Sequence, residues 1–191
     1  MPKAKEYNTR NLYFPSRITK ALDGIFDHPL TLIEAPMGYG KTTAVREYLR
    51  NAGADTLWQE VPADGGDGFW DGFAGLFGEF DNERSQSLIH MRFPDNAKTA
   101  REAIKLIKDI RLPENTVLVV EDWQNISIPA ANTFFEQLAE SRIERLHIVL
   151  VTRAAKFARL HELALKGVLY HIAKQTLEFA SKEITNPAGY I

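Results

Sequence analysis

The sequence predicts an α/β fold: a mostly parallel five-stranded sheet covered by helices on both faces. Three observations predict it. Short apolar runs rich in branched residues alternate along the chain with segments of helical period. Three of the runs show almost no polar alternation, as strands buried on both faces should. The chain has 191 residues, 45% hydrophobic and 25% charged, which is one domain's worth of ordinary globular sequence. At this size folding removes about 70% of the unfolded chain's surface from water, so a substantial core is available.

Residues 1–15 read as an N-terminal arm, and residues 16–179 as the domain. The first helix spans 16–26, with Ser16 placed to cap it and Ile18, Leu22 and Ile25 on one face. The run 30–33 is the first strand. Residues 41–51 space Ala44, Val45, Tyr48 and Leu49 at helical intervals, and Gly53 stops the helix. The second strand is 56–61. Phe69, Trp70, Phe73, Leu76, Phe77 and Phe80 then form an aromatic stripe at helical spacing. The stripe reads as packing surface because a base-stacking platform would have basic neighbours. Asp64 and Asp67, in the run DGGDG before it, read as turn-shaping and helix-capping residues.

The segment 98–111 alternates Ala100, Ile104 and Ile107 with Lys98, Arg101, Lys105 and Lys108. Glu102 and Asp109 interrupt the basic stripe, so it reads as the solvated side of an amphipathic helix. Strands follow at 117–120, 146–151 and 168–172, with helices at 130–141 and 157–164.

The strongest local signal is TLIEAPMGYGKTT at 31–43, an apolar strand running through a glycine-containing loop into a helix. Ala35, Gly40, Lys41 and Thr42 occupy the anchor places of the phosphate-binding P-loop, with alanine replacing the first glycine. The pattern suits a triphosphate. Ala35, Pro36, Met37, Gly38, Tyr39, Gly40, Lys41, Thr42 and Thr43 form the expected cradle, in which glycines let backbone N–H groups approach the anion. Lys41 would carry its ammonium to the β- and γ-phosphates at the positive end of the helix, and Thr42 would offer a hydroxyl to Mg²⁺. The expected ligand is ATP or ADP with Mg²⁺.

A second element, VLVVEDW at 117–123, sets Glu121 and Asp122 at a strand end. Either carboxylate could serve the metal or polarise a water, and the sequence does not divide the two roles. A third, LHIVLVTR at 146–153, ends in Arg153, placed to contact a γ-phosphate that ADP lacks.

Other function classes lack support. Twenty-three basic residues against 25 acidic leave a formal charge of −2, which offers no general attraction to nucleic acid or anionic membrane. The absence of cysteine excludes thiol chemistry, and the five histidines show no ligand spacing. With no apolar signal segment and no run of 18 apolar residues, the expected location is cytoplasmic, without membrane or direct DNA contact by this segment.

Taken together, APMGYGKTT, FWDGF, VLVVEDW, IVLVTR and LHELALKG followed by LEFASKEI resemble one family over residues 14–184. It is the nucleotide-binding domain of MalT-like, large ATP-binding LuxR-type transcription regulators, within the STAND class of P-loop ATPases. The resemblance implies the strand order of additional-strand ATPases, a lead-in at Pro15-Ser16-Arg17, a nucleotide-sensing Arg153 and self-association on ATP binding. It also implies DNA contact only through domains absent from this chain. Two features depart from the family. Glu121 replaces the first of two aspartates, and Phe179-Ala180-Ser181 replaces a phenylalanine followed directly by threonine, leaving Ser181 to cap the next helix. Residues 180–191 read as the start of a truncated or absent helical subdomain.

The implied function is an ATP/ADP switch of a signal-responsive regulator, with slow hydrolysis to ADP and phosphate at best. Two alternatives remain open: a small-molecule kinase or other phosphotransferase, although no arginine-rich lid is visible, and a nucleotide-free scaffold, against which the intact Lys41-Thr42 pair argues.

Overall fold

Five parallel strands form one sheet in the computed structural model, which describes residues 15–66, 68–154 and 157–178. Along the chain the elements are α1 (Ser16–Asp23), β1 (Leu30–Glu34), α2 (Lys41–Ala52), β2 (Asp55–Glu60) and α3 (Phe69–Gly75). Next come α4 (Asn82–His90), α5 (Ala97–Lys108), β3 (Thr116–Glu121), α6 (Ala131–Glu140) and β4 (Leu146–Thr152). The described chain closes with α7 (Leu160–Leu165), β5 (Leu169–Ala173) and the short α8 (Lys174–Leu177). The strand order is β2-β3-β4-β1-β5, so β4 is inserted between the strands that carry the P-loop and the acidic pair, as expected for an additional-strand ATPase.

The two-residue side-chain period of a strand builds both cores. In β3, Leu118 and Val120 join one cluster while Val117 and Val119 join the other. The second cluster is closed by Ile18 and Leu22 of α1, Val45 and Leu49 of α2, and Leu177 of α8. The first is closed by residues of α3 to α7. Three layers result, with the sheet in the middle.

The aromatic stripe belongs to the first core. Phe69, Phe73 and Phe77 are fully buried, and Phe73 packs its ring against those of Phe134 and Phe135. The Trp70 indole donates 2.7 Å to the Leu88 carbonyl, so even its polar edge is satisfied inside. Trp123 joins the same cluster, 4.7 Å from the Phe135 ring, and donates to Asn132 Oδ1 at 3.0 Å. The turn that follows β3 is thereby pinned to α6.

Several elements differ from the sequence reading. Ser16 does not cap α1. Pro15 is the N-cap residue, with no side-chain cap hydrogen bond, because its extended ψ of 142° hands the chain into the helix one residue earlier. The helix stops at Asp23, and the chain turns before β1. The helix α4 had no strong sequence signal, since Ser85 and Leu88 are its only buried residues among nine. It is held instead by the Asp81 cap, which accepts from Arg84 N at 3.0 Å, and by Ser85 Oγ donating to Ala74 O at 2.9 Å.

The helix α5 starts one residue before the expected 98 because Asn96 and Thr99 form a capping box. Its lysines and arginine are exposed while Ala100, Ala103 and Ile107 are buried, which is the amphipathic pattern expected. In the glycine-rich turn, Asp64 Oδ1 accepts from Gly66 N at 3.3 Å and so shapes the turn. It does not cap α3, whose N-cap is Gly68 with no side-chain cap bond, since φ of 77° there turns the chain into the helix. Asp67, Phe179, Ala180, Ser181, most of the N-terminal arm and the segment 180–191 lie outside the described residues.

At the far edge, Arg159 bridges Glu140 at 2.9 Å and Glu162 at 2.7 Å, and so ties α7 to α6. Among the described residues no helix is long and apolar enough to cross a membrane.

Candidate functional site

Because every strand runs the same way, the carboxyl ends of β1, β3 and β4 share one edge of the sheet. Glu34 pairs in register with Thr152, and Ala35 N donates 3.3 Å to Thr152 O, so the loop after β1 starts directly beside the end of β4. On its far side β4 pairs with β3, which ends at Glu121. A groove of ≈ 320 Å³ lies between these ends, with Met37, Gly38 and residues 40–43 on one wall and Asp122, Val151 and Arg153 on the other.

The loop conformation depends on its glycines. Gly38 has φ of 88° and Gly40 has φ of 70°, values that L side chains adopt only with strain. A Cβ at either would meet no protein atom within 4 Å, so the requirement is backbone conformation and the space above both glycines is open. Gly40 is also the N-cap of α2, without a side-chain cap hydrogen bond. The first-turn amides of that helix therefore point, without an intrahelical or side-chain partner, at the groove lined by Lys41, Thr42 and Thr43. Tyr39 is half-buried against the α1/α2 core, whereas Met37 is 75% exposed at the loop tip.

Lys41 Nζ donates to the carbonyls of Ala35 at 2.6 Å and Pro36 at 3.0 Å, curling the loop around its own ammonium. Burial holds the Lys41 pKa below the usual lysine value, and the Arg153 guanidinium lowers it further, against the opposing pull of Asp122 and Glu121. Two cations thus share the groove at an electrostatic cost that an incoming anion would relieve. The cationic form is the one that attracts phosphate, so phosphate-ligand affinity is expected to fall as pH rises through this lowered pKa, below the ordinary 10.5. In Lys41→Arg, which stays charged throughout that range, the alkaline fall disappears; titrations at stepped pH check this.

The acidic pair is split. Glu121 points to the α2 face, where Oε2 accepts from Trp58 Nε1 at 2.8 Å and lies 3.7 Å from Arg46 Nη2. Arg46 also stacks over the Trp58 ring at 4.7 Å. Asp122 lines the groove itself. Its backbone is left-handed, φ 51° and ψ 38°, which ends β3 abruptly and turns the carboxylate towards the loop. Such a conformation outside glycine costs about 1 kcal/mol or more and is kept where surrounding contacts impose it. Here Asn125 N donates 2.8 Å to the Asp122 carbonyl, and Gln124 Nε2 donates 2.7 Å to Asp122 Oδ1. Arg153 Nη2 stands 3.7 Å from the same oxygen, and its side chain is 49% exposed.

The structure therefore brings together Gly38, Gly40, Lys41, Thr42, Thr43, Asp122 and Arg153, and keeps Glu121 one layer behind them. Sequence reasoning missed Gln124, Trp58 and Arg46. Gln124 alone had a local signal, a polar side chain three residues beyond the strand end; the other two reach Glu121 only through sheet pairing and the turn of α2.

Among the described residues no group of three or more His, Cys, Asp or Glu side chains could hold a metal ion. A cation here would need phosphate oxygens and water to complete its shell, which is how Mg²⁺ binds with nucleotides. Thr42 and Asp122 across one groove fit that arrangement. The groove is at the small end of ligand-site volumes, matching a phosphate chain with the rest of the ligand outside.

Solved structures share this architecture. A chain from the structure of Drosophila ORC bound to AT-rich DNA and Cdc6 superposes with a TM-score of 0.52 at 12% identity, over 88% of this chain and 59% of that one. A Walker-type ATPase of Pyrococcus abyssi gives 0.52 at 13% identity, over 91% and 56%. The fold is that of a P-loop ATPase. A chain from Drosophila ORC bound to DNA gives 0.50 at 13% identity, over 88% of this chain and 98% of that one. The chain thus spans little more than half the length of the first two. Neither a family model nor a curated protein matches the sequence.

Proposed function

We propose that this P-loop domain binds Mg-ATP and Mg-ADP and acts as a nucleotide-dependent switch. One observation carries it: Lys41, Thr42, Asp122 and Arg153, from three separate segments, converge on a single groove at the sheet's carboxyl edge. In this reading Lys41 and the first-turn amides of α2 hold the phosphates. Thr42 and Asp122 hold Mg²⁺, whose charge would neutralise the phosphate oxygens. Arg153 distinguishes ATP from ADP by contact with the γ-phosphate. Glu121 reaches the site only through its field, which suits a binding switch with slow turnover better than a fast hydrolase.

The switch is proposed to serve a signal-responsive transcription regulator of the LuxR type, in keeping with the motif resemblance, and to self-associate when ATP is bound. Drosophila ORC was solved bound to DNA. For this chain the near-neutral charge favours nucleotide over DNA as the direct ligand. Calorimetric titration tests the reading. Mg-ADP and Mg-ATP should each bind at one site per chain, and ADP should bind more weakly when Mg²⁺ is chelated. No heat with either nucleotide would refute it.

A further inference from the structure

We infer that Gln124 is a positioning residue which holds Asp122 and Arg153 apart, so that the guanidinium stays available to a γ-phosphate. This inference rests on the nucleotide reading above and extends it. Both ends of the Gln124 amide are engaged, in one sense only. Its NH₂ donates to Asp122 Oδ1 at 2.7 Å, and a weaker contact reaches Asn125 Oδ1 at 3.5 Å. Its carbonyl oxygen accepts from Arg153 N at 2.9 Å and from Thr152 Oγ1 at 3.3 Å. A carboxylate can only accept and a backbone N–H can only donate, so these partners fix which end of the amide is nitrogen.

The consequence follows from geometry. β3 and β4 end side by side, and Gln124 is a crossbar between their ends. Arg153 Nη2 is 3.7 Å from the same Asp122 oxygen that Gln124 occupies, a long ion pair well outside hydrogen-bond range. With Oδ1 already hydrogen-bonded, and with the Arg153 backbone fixed by the other end of the amide, the guanidinium is kept short of full contact. Without the amide, Asp122 and Arg153 would close into a tight charge-assisted pair. An arginine neutralised in that way has less to offer a γ-phosphate, while the phosphates common to ATP and ADP would still be held by Lys41 and the loop. Gln124 is thus proposed to set the ATP-to-ADP preference without contacting the nucleotide.

The test compares affinities for Mg-ADP and for a non-hydrolysable Mg-ATP analogue in the wild type, Gln124→Leu and Gln124→Glu. In Gln124→Leu the analogue should bind about tenfold more weakly, the size expected for losing a hydrogen bond to a charged group. Because Asp122 is also proposed to hold the Mg²⁺ common to both ligands, any loss through the metal is shared, and the readout is the ratio of the two affinities, which should move about tenfold towards Mg-ADP. Gln124→Glu keeps the side chain's length and an acceptor for Arg153 N but lacks the NH₂ that donates to Asp122 Oδ1.

Measured at a single pH, the analogue-to-ADP affinity ratio of Gln124→Glu should therefore fall as it does in Gln124→Leu. A residue with a purely structural role would weaken both nucleotides alike and leave that ratio unmoved, and this second variant serves even if Gln124→Leu folds poorly. A wild type that binds neither nucleotide would remove the nucleotide reading and this inference together. A wild type that binds both, with the preference unchanged in the variants, would overturn this inference alone.

Discussion

Lys41→Ala is expected to abolish the thermal stabilisation that Mg-ADP and Mg-ATP give the wild-type protein. A ligand at 100 times its dissociation constant stabilises by about 2.7 kcal/mol. For a domain of this size that raises the midpoint by roughly 5–10 °C. Lys41 should account for most of the affinity because it is the loop's only cation, already partly desolvated and already repelled by Arg153. Its ammonium rests on the Ala35 and Pro36 carbonyls and can turn from these neutral acceptors to a phosphate at little cost. The same two hydrogen bonds mean that the variant loses some loop order without ligand, so shifts are compared with each protein's own baseline. An undiminished shift in Lys41→Ala would place the nucleotide elsewhere.

The largest loss of stability is expected from Phe73→Ala, about 3–5 kcal/mol, as for other buried aromatics truncated to alanine. Phe73 is completely buried, and its ring lies 5.2 Å from Trp70, 5.5 Å from Phe77 and 5.6 Å from Phe135. These neighbours come from α3, the turn after it and α6, so no single element can shift to fill the void. A midpoint lower by roughly 6–20 °C follows, read by calorimetry or circular dichroism. The nucleotide-dependent shift should survive at the lower baseline, because α2 packs on the opposite face of the sheet. A drop of less than about 1 kcal/mol, the range of ordinary surface changes, would mean that the cluster is not the core it is taken to be.

What the sequence determined by itself is whatever depends on near neighbours along the chain. Strand periodicity placed all five strands within one or two residues, and the aromatic stripe at 69–80 announced a buried helix, which the structure ends at Gly75 before a 3₁₀ turn over Leu76–Glu79. The strand, loop and helix around Lys41 were legible because backbone conformation there is dictated by Gly38 and Gly40 themselves. The helix α4 escaped because a segment with so few buried residues has almost no periodic signal, and its place is decided by α3 and the Asp81 cap. Ser16 misled because a capping residue type was present one position too late.

Only the tertiary structure decided the division of labour between Glu121 and Asp122. They are neighbours in sequence, but Glu121 keeps the strand's alternation and turns to Trp58 and Arg46, whereas Asp122 leaves the strand through a left-handed turn into the groove. Tertiary structure also decided that Gln124 meets Arg153, 29 residues away, and that Lys41 feels both Arg153 and Asp122. The physical reason is the same in each case. Hydrogen-bond partners and electrostatic fields are set by distance in space, and parallel pairing of β1, β3 and β4 is what makes those distances short.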